Sequence, residues 1–394
     1  MAVAERNVGD SEKSEVHVPT PVISRTRQHT AVASADSHRP DPVAAVAELA
    51  DALGTRAGLY AVFVTPGYDL PLVGRELKRH FGDRVIGCTS SGNIGPRGYD
   101  SAGLCAVAFT GGLRARTVTV GPLDDAPGAV ERAAPELADL RSEVGDGEGF
   151  AILLTDGLTR NEDLLAANLM AALGDVPIVG GSAGDNLTFE HTAVYHDGEF
   201  LPNLASVTVV RTDVPFRLIR LQHHEPTSTL LIATDVDPDR RVVRALNGRP
   251  AAQAYAEAVG TRVADLNFSV YSRHPLLLNA GGSAWIRAIA AANADGTLSM
   301  FARVDVGDVL RVGRPTGLLD HLEQQFAALE ADLGPIGGML AFDCVLRRLE
   351  TEEHQVADQV GGFLAERGVV GFSTYGEQFN GMHMNQTLVA VAFA

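Results

Sequence analysis

The sequence predicts an α/β protein of two related domains, built from repeated strand–helix–strand units with a more antiparallel section in the middle. Three observations support this. One plan recurs from Gly58, Gly149 and Gly337: an apolar strand ("AVFV", "AILL", "MLAF"), a polar loop, an amphipathic helix, a second apolar strand, and a turn of glycine and hydroxyl residues. Such continuous apolar runs are expected of strands covered on both faces, as in a sheet buried between helices. From Phe216 to Asp308 the pattern changes to the alternation of "FRLIRL", "TLLIAT", "RVVRAL" and "LSMFARV" around the turn "NADG", which reads as antiparallel strands.

In chain order, residues 1–40 are polar, rich in Ser, Thr, Glu and Arg, and without periodicity. They are expected to form a disordered tail that buries too little to offset its ordering entropy. Order is expected from Asp41-Pro42, an acidic residue followed by proline, which opens the helical spacing of "VAAVAELADAL". The first and third repeats agree beyond their turns: Leu104 of "LCAVAF" lies 17 positions after Gly87, and Leu388 of "LVAVAF" lies 17 positions after Gly371. Aligning Gly87, Gly180 and Gly371 places a hydroxyl two positions on in every copy, at Thr89, Ser182 and Ser373.

Composition limits the function. The chain has 394 residues, 45% of them hydrophobic, enough for sizeable cores. The formal charge of −17 opposes phosphate backbones and anionic lipid, so neither nucleic acid nor a membrane is an expected partner. No apolar run approaches the roughly 20 residues of a membrane span, and the N-terminus lacks a signal-peptide pattern. Cys88, Cys105 and Cys344 are far apart without Cys-x-x-Cys spacing, which suits a reducing compartment; the expected location is cytoplasmic.

The repeats diverge in their polar groups. Where the first copy reads "GNIGPRGYDSAG", the third reads "GEQFNGMHMNQT", so Asn93 corresponds to Glu377, Tyr99 to His383 and Ala102 to Gln386. A ligand site in one copy produces such divergence, and so does drift in a surface loop. The turns "TSSG", "GSAGD" and "STYGE" offer backbone N–H groups to a carboxylate, while Asp185 or Glu377 offers an acceptor to an ammonium. The candidate binding residues are therefore Ser182, Asp185, Tyr375, Glu377, Asn385 and Gln386, against the ordinary alternative that these are only tight turns. Arg347 and Arg348 of "FDCVLRR" offer charge to an anionic ligand, or else pair with Glu350, Glu352 or Glu353 on a solvated segment. "GGSAG" fits the nucleophile elbow G-x-S-x-G, the basis of a serine-hydrolase alternative using Ser182. The segment "DNLTFEHTAVYHDGEF" that follows reads as strand and turn rather than the helix an elbow needs, so catalysis is not expected. Cys88 reads as a small buried thiol more readily than a reactive one.

The stretches "VIGCTSSGNI", "LTDGL", "VPIVGGSAGDN", "VYHDGEF", "LNGRPAAQAY", "FDCVLRR" and "GFSTYGEQFNGMHMNQT", in this order, resemble the N- and C-terminal halves of FIST (F-box and intracellular signal transduction) proteins. The resemblance implies a FIST N-type domain over 41–248, a FIST C-type domain over 249–394, and a sensory role with small ligands such as amino acids. The ending "TYGEQFNGMHMNQT" resembles in particular the bacterial branch of nitric oxide-sensing haem proteins. That branch implies haem b and control of a partner histidine kinase or cyclic-di-GMP enzyme. No kinase, cyclase, receiver or F-box pattern is recognisable in these residues, so output is expected to pass through a separate protein. For an axial ligand, His383 is the first candidate, His274 the second and His224 the third, each with the alternative of an ordinary hydrogen-bonded histidine; Arg347 would then suit a propionate. Covalent attachment is not expected without Cys-x-x-Cys-His.

Overall fold

The computed structural model describes residues 32–144 and 149–394. The first unit comprises β1 (Val32–Ser37), α1 (Pro42–Leu53), β2 (Leu59–Val64), α2 (Leu70–Phe81), β3 (Val85–Thr89), a hairpin of β4 (Asn93–Gly95) and β5 (Gly98–Asp100), and β6 (Leu104–Phe109). The second repeats it: β7 (Arg114–Val120), α3 (Ala126–Arg132), α4 (Ala134–Val144), β8 (Gly149–Thr155), α5 (Glu162–Leu173), β9 (Ile178–Ser182), the hairpin β10 (Val194–His196) and β11 (Glu199–Leu201), and β12 (Ala205–Arg211). The third begins with β13 (Phe216–Leu221) and is then interrupted by an inserted antiparallel section. That section contains β14 (His224–Asp237), β15 (Val242–Leu246), β16 (Arg249–Pro250), α6 (Ala251–Ala258), α7 (Phe268–Arg273), β17 (Leu276–Ala280), β18 (Ser283–Arg287), β19 (Ile289–Ala292), β20 (Leu298–Met300) and β21 (Val309–Pro315). The third unit resumes with α8 (Leu318–Leu333), β22 (Gly338–Cys344), α9 (Val345–Glu353), α10 (Ala357–Glu366), β23 (Val369–Thr374), the hairpin β24 (Glu377–Phe379) and β25 (Met382–Met384), and β26 (Leu388–Phe393).

Local chemistry sets the helix ends. Asp41 caps α1 by accepting from Val43 N, Pro42 supplies the first turn, and Gly54 at φ 69° ends it. The buried face of α1 is Ala45, Val46, Leu49 and Ala50, the spacing of an amphipathic helix. Asp69 caps α2 in the same way through Leu72 N, at 2.9 Å.

The three sheets share one strand order: β1-β6-β2-β3-β10-β11, β7-β12-β8-β9-β24-β25, and β13-β26-β22-β23-β4-β5. Each unit's hairpin lies on another unit's sheet, and the exchange is cyclic: first to third, third to second, second to first. The central pairs β2–β3, β8–β9 and β22–β23 are parallel, which is why each needs a helical crossover. In register, Gly87 lies opposite Val62, Gly180 opposite Leu153 and Gly371 opposite Ala341. A Cβ at these glycines would fall 2.3, 1.9 and 1.7 Å from the partner's carbonyl oxygen, so the aligned glycines mark one close approach of backbones.

The inner faces of the three sheets meet in one core that includes Phe63, Leu154, Phe342 and Phe372. Phe63 stacks on Phe372 at 4.5 Å and Phe342 meets it edge-on at 5.9 Å. At the turns the units are tied in a ring: Ser91 N donates to Ser373 O (3.0 Å), Tyr375 N to Ser182 O (3.1 Å) and Gly184 N to Thr89 O (3.0 Å). The aligned residues Thr89, Ser182 and Ser373 thus contribute their carbonyls to a shared joint.

The expected α/β class, repeated units and antiparallel middle section are all present, with two corrections of detail. Residues 32–37, assigned to the tail, form β1, paired antiparallel with β6 from Val32↔Phe109 to Ser37↔Leu104. A strand of mostly small residues, "VASADS", shows little periodicity by itself and is buried by its neighbour; the rest of the expected tail up to residue 31 lies outside the described residues. "FRLIRL" pairs with β26 in the third α/β sheet, so the antiparallel insert starts only at His224.

Candidate functional site

A cleft of about 310 Å³ lies between the second unit and the insert. The turn after β8 contributes Gly157, Leu158 and Arg160, and is held by Asp156, which accepts from Leu158 N (2.9 Å) and Asn203 N (2.5 Å). Glu162 at the start of α5 and Arg240, Arg241, Met300 and Phe301 of the insert complete this side. Buried Arg241 joins the two parts, pairing with Glu162 and, at 2.8 Å, with Asp163. Arg160 and Arg240 are exposed, and neither side chain has an ion-pair partner among the described residues.

The loop after β9 supplies Phe189. Asp185 organises it by accepting from the backbone N–H groups of Phe189 (3.0 Å), Glu190 (2.7 Å) and His191 (2.8 Å) and from the Tyr375 hydroxyl. Burial pushes the Asp185 carboxyl upward, but the Tyr375 hydroxyl and these amides outweigh it and hold it below its ordinary value. Asn186, Leu187 and Phe189 sit at φ 56°, 66° and 54°, a region costing about 1–3 kcal/mol for such residues. The loop is therefore over-determined by its hydrogen bonds. Phe189 stacks on Tyr375 at 4.7 Å with 20° between ring planes, and both rings line the cleft.

Behind Tyr375 lies a buried polar cluster. A Cβ on Gly376 would fall 2.2 Å from His383 Cε1 and 3.1 Å from Asn385 Nδ2. Gln378 Nε2 donates to Ser182 Oγ (2.8 Å) and faces His383 Nδ1 at 3.1 Å. An amide nitrogen only donates, so Nδ1 accepts and His383 carries its proton on Nε2. Burial pushes the His383 imidazole below its ordinary pKa, so the ring is neutral. Arg287, also buried, donates to the His383 carbonyl at 3.0 Å. Twelve buried side-chain atoms among the described residues have no hydrogen-bond partner, and five belong to this cluster and the Arg241 that borders it: His383 Nε2, Gln378 Oε1, Asn385 Oδ1, Arg241 Nε and Arg287 Nε. Each such orphan costs about 1–3 kcal/mol; of the five residues, Arg241 lines the cleft and the other four lie behind its wall.

The other sequence candidates have structural partners. Glu377 is fully buried, and accepts from Thr374 Oγ1, from Thr387 Oγ1 (2.7 Å) and from Thr387 N (3.2 Å); burial pushes it up to about 8. Gln386 donates to Ser272 O at 3.1 Å and Asn385 to Tyr375 O at 3.2 Å. Ser182 is completely buried and its hydroxyl accepts from the Gln378 amide; with no imidazole bonded to it among the described residues, the elbow reading lacks a base. Arg347 is not solvated: it is buried between Asp343 (2.7 Å) and His223 Nδ1 (3.0 Å), while Arg348 pairs with Glu352 at 3.0 Å. Sequence reading missed Arg160, in the polar loop of the second repeat, and Phe189, Arg240, Arg241, Arg287 and Phe301, which lie outside the repeated strand–helix–strand segments.

Two groups bring three metal-ligand side chains together among the described residues: His223, His224 and Glu350; and Asp36, His38 and Asp100. In the first, Arg347 donates to His223 Nδ1, so the His223 proton sits on Nε2 and is directed at Glu350 Oε1, 2.9 Å away. A metal would need that lone pair and would lie near a guanidinium, so the arrangement is a hydrogen-bond chain. In the second, Arg97 already pairs with Asp36 and lies 3.7 Å from Asp100.

Haem b does not fit the same geometry. The electrostatic neighbours of His383 are Asp163, Glu162, Arg241 and Arg287 rather than an apolar slot. His274 ends α7, half-buried, with Nδ1 3.4 Å from Gly313 O, and His224 is tied through Nε2 to Ser272 O at 2.8 Å. These residues do not make a haem pocket.

Family models match the chain as a FIST N domain over residues 58–249 and a FIST C domain over residues 251–380. The chain belongs to the FIST family. No curated protein matches it. FIST domains are sensory modules of signal transduction that bind small ligands, regulatory rather than catalytic. The FIST N match starts after α1, covers the rest of the first unit and the second, and enters the insert; the FIST C match ends after β24, so His383, Asn385 and Gln386 lie just beyond it. No helix among the described residues is long and apolar enough to cross a membrane.

Proposed function

We propose that this FIST protein is a haem-free sensor whose cleft takes a small ligand carrying both hydrogen-bond acceptors and donors, as an amino acid does, and reports its presence to a separate signalling protein. The observation that carries this reading is the mixed set of orphaned buried groups, of which Arg241 lines the cleft and the others lie behind Tyr375 and Arg241. His383 Nε2, Arg241 Nε and Arg287 Nε are donors, and Gln378 Oε1 and Asn385 Oδ1 are acceptors. Such a set is complementary to a zwitterion, and the cleft volume is at the lower end of small-molecule sites. The test is thermal denaturation of the full chain with each common amino acid. A ligand at a hundred times its Kd stabilises by about 2.7 kcal/mol. Stabilisation that is lost in Asn385→Ala supports the reading; equal stabilisation of wild type and Asn385→Ala, or none across the panel, contradicts it.

A further inference from the structure

Phe189 is an unusual residue to find on this surface. It is 48% exposed, among the most exposed large aromatic side chains described, and it projects into the cleft from a loop whose backbone is held in the left-handed region at Asn186, Leu187 and Phe189 itself. Asp185 and the Tyr375 hydroxyl supply the hydrogen bonds that keep it there. One ring face is taken by Tyr375. Met300 and Phe301 of the insert add apolar surface to the same cleft. A strained loop that displays an aromatic ring to solvent is stabilised against its own preferences, which is the mark of a contact surface for something flat.

The charges of the cleft are one-sided. Its only lining carboxylate, Glu162, is consumed by Arg241. Arg160 and Arg240 reach the same cleft with no carboxylate partner among the described residues, in a chain whose formal charge is −17. Two free guanidinium groups beside an exposed ring are complementary to a molecule with a carboxylate at one end and a ring at the other, since a planar guanidinium pairs with a carboxylate through paired N–H donors. The volume of about 310 Å³ accommodates a ligand of one or two fused rings.

We infer that the cleft is a site for a small aromatic carboxylate, with its ring against the Phe189–Tyr375 stack and its carboxylate at Arg160 and Arg240. This rests on the cleft being the ligand site and names the class of ligand. The aromatic carboxylate has two sources, an aromatic amino acid or an aryl acid without an amine, and the titration below separates them.

The experiment is thermal denaturation and calorimetric titration of the full chain with phenylalanine, tryptophan, phenylacetate, indole-3-acetate, cyclohexylalanine, alanine and glutamate. Ring-bearing carboxylates are expected to bind, and cyclohexylalanine and alanine only weakly. Arg160→Gln/Arg240→Gln, at two exposed positions, is expected to fold normally and weaken binding by at least about tenfold, and Phe189→Ala to reduce the preference for phenylalanine over cyclohexylalanine. Phenylacetate binding as tightly as phenylalanine still supports the aromatic class and assigns it to aryl acids. If alanine or glutamate binds best, and the binding is lost in Asn385→Ala, the cleft remains the ligand site and the aromatic inference falls. If no compound binds wild type, both fall.

Discussion

Glu377→Gln tests how the C-terminal hairpin is held. The carboxyl lies in the dry interior, and burial raises it from 4.5 to about 8 despite three donated hydrogen bonds. A raised carboxyl keeps its proton in the folded state after the unfolded chain has released it. Its stabilising contribution is fully present below about pH 4.5, declines as pH rises, and is gone above about pH 8. A difference of about 3.5 units at 1.36 kcal/mol each gives an upper bound of about 5 kcal/mol across that window. Glutamine has the shape of the protonated acid and does not titrate, and the Thr374 and Thr387 hydroxyls can rotate to accept from its amide. Urea denaturation of both proteins from pH 5 to pH 9 should show the wild type at least as stable as the variant at the acid end. The order should reverse towards pH 9, with a stability difference that moves by several kcal/mol. Parallel stability curves for the two proteins over this range would refute the reasoning, because Glu377 would then titrate alike folded and unfolded.

Three further outcomes are expected. His224 is pushed down to about 3 by burial, so its contribution is present above the unfolded value of 6.5 and is lost as pH falls towards 3; His224→Gln, which still donates to Ser272 O, should flatten the acid limb of the stability curve measured by denaturant midpoint. Gly87→Ala, Gly180→Ala and Gly371→Ala should each lower the melting temperature, by at least about 1–3 kcal/mol of overpacking, with Gly371→Ala the worst because its Cβ would approach a carbonyl to 1.7 Å. Tyr375→Phe removes the donor to Asp185 and the acceptor of Leu187 N, and should cost about 1–3 kcal/mol and speed limited proteolysis within residues 185–191; an unchanged cleavage rate would show that the loop is held without Tyr375.

The α/β units were legible because their signals are local. Apolar runs, aligned glycines and the paired endings "LCAVAF" and "LVAVAF" each report a strand or a close approach within one segment. The hairpin exchange was not legible. β4, β5, β24 and β25 are three residues each, too short to show alternation, and nothing in them says which sheet they join. The polar turn from Tyr375 to Gln386 was correctly singled out as dense in hydrogen-bonding groups, but the sequence did not distinguish side chains that are saturated, such as Glu377, from those left orphaned, such as His383. The cleft was invisible for a different reason: Arg160, Phe189, Arg240, Phe301 and Tyr375 come from five separated stretches, and each alone is an ordinary residue in a turn or strand.

The exchanged hairpins also explain why one site stands out among three equivalent positions. Each hairpin packs on a helix of the unit that receives it: β11 on α2, β25 on α5 and β5 on α10. The hairpin on the second sheet additionally touches β18 of the insert, through Arg287 and the His383 carbonyl. At that position the third unit supplies Gln378, His383 and Asn385, the second supplies Ser182 and Glu162, and the insert supplies Arg241 and Arg287. A ligand that satisfied the orphaned groups there would therefore make contact with three parts of the chain: the third unit's hairpin, the second unit whose β9 it pairs with, and the insert, joined to them through Arg241 and Arg287. Binding energy gained at such a junction favours the closed arrangement of those parts over any looser one, by the ratio of the ligand's affinities for the two. That gives a small molecule a physical route to alter the outer surface that a signalling partner reads.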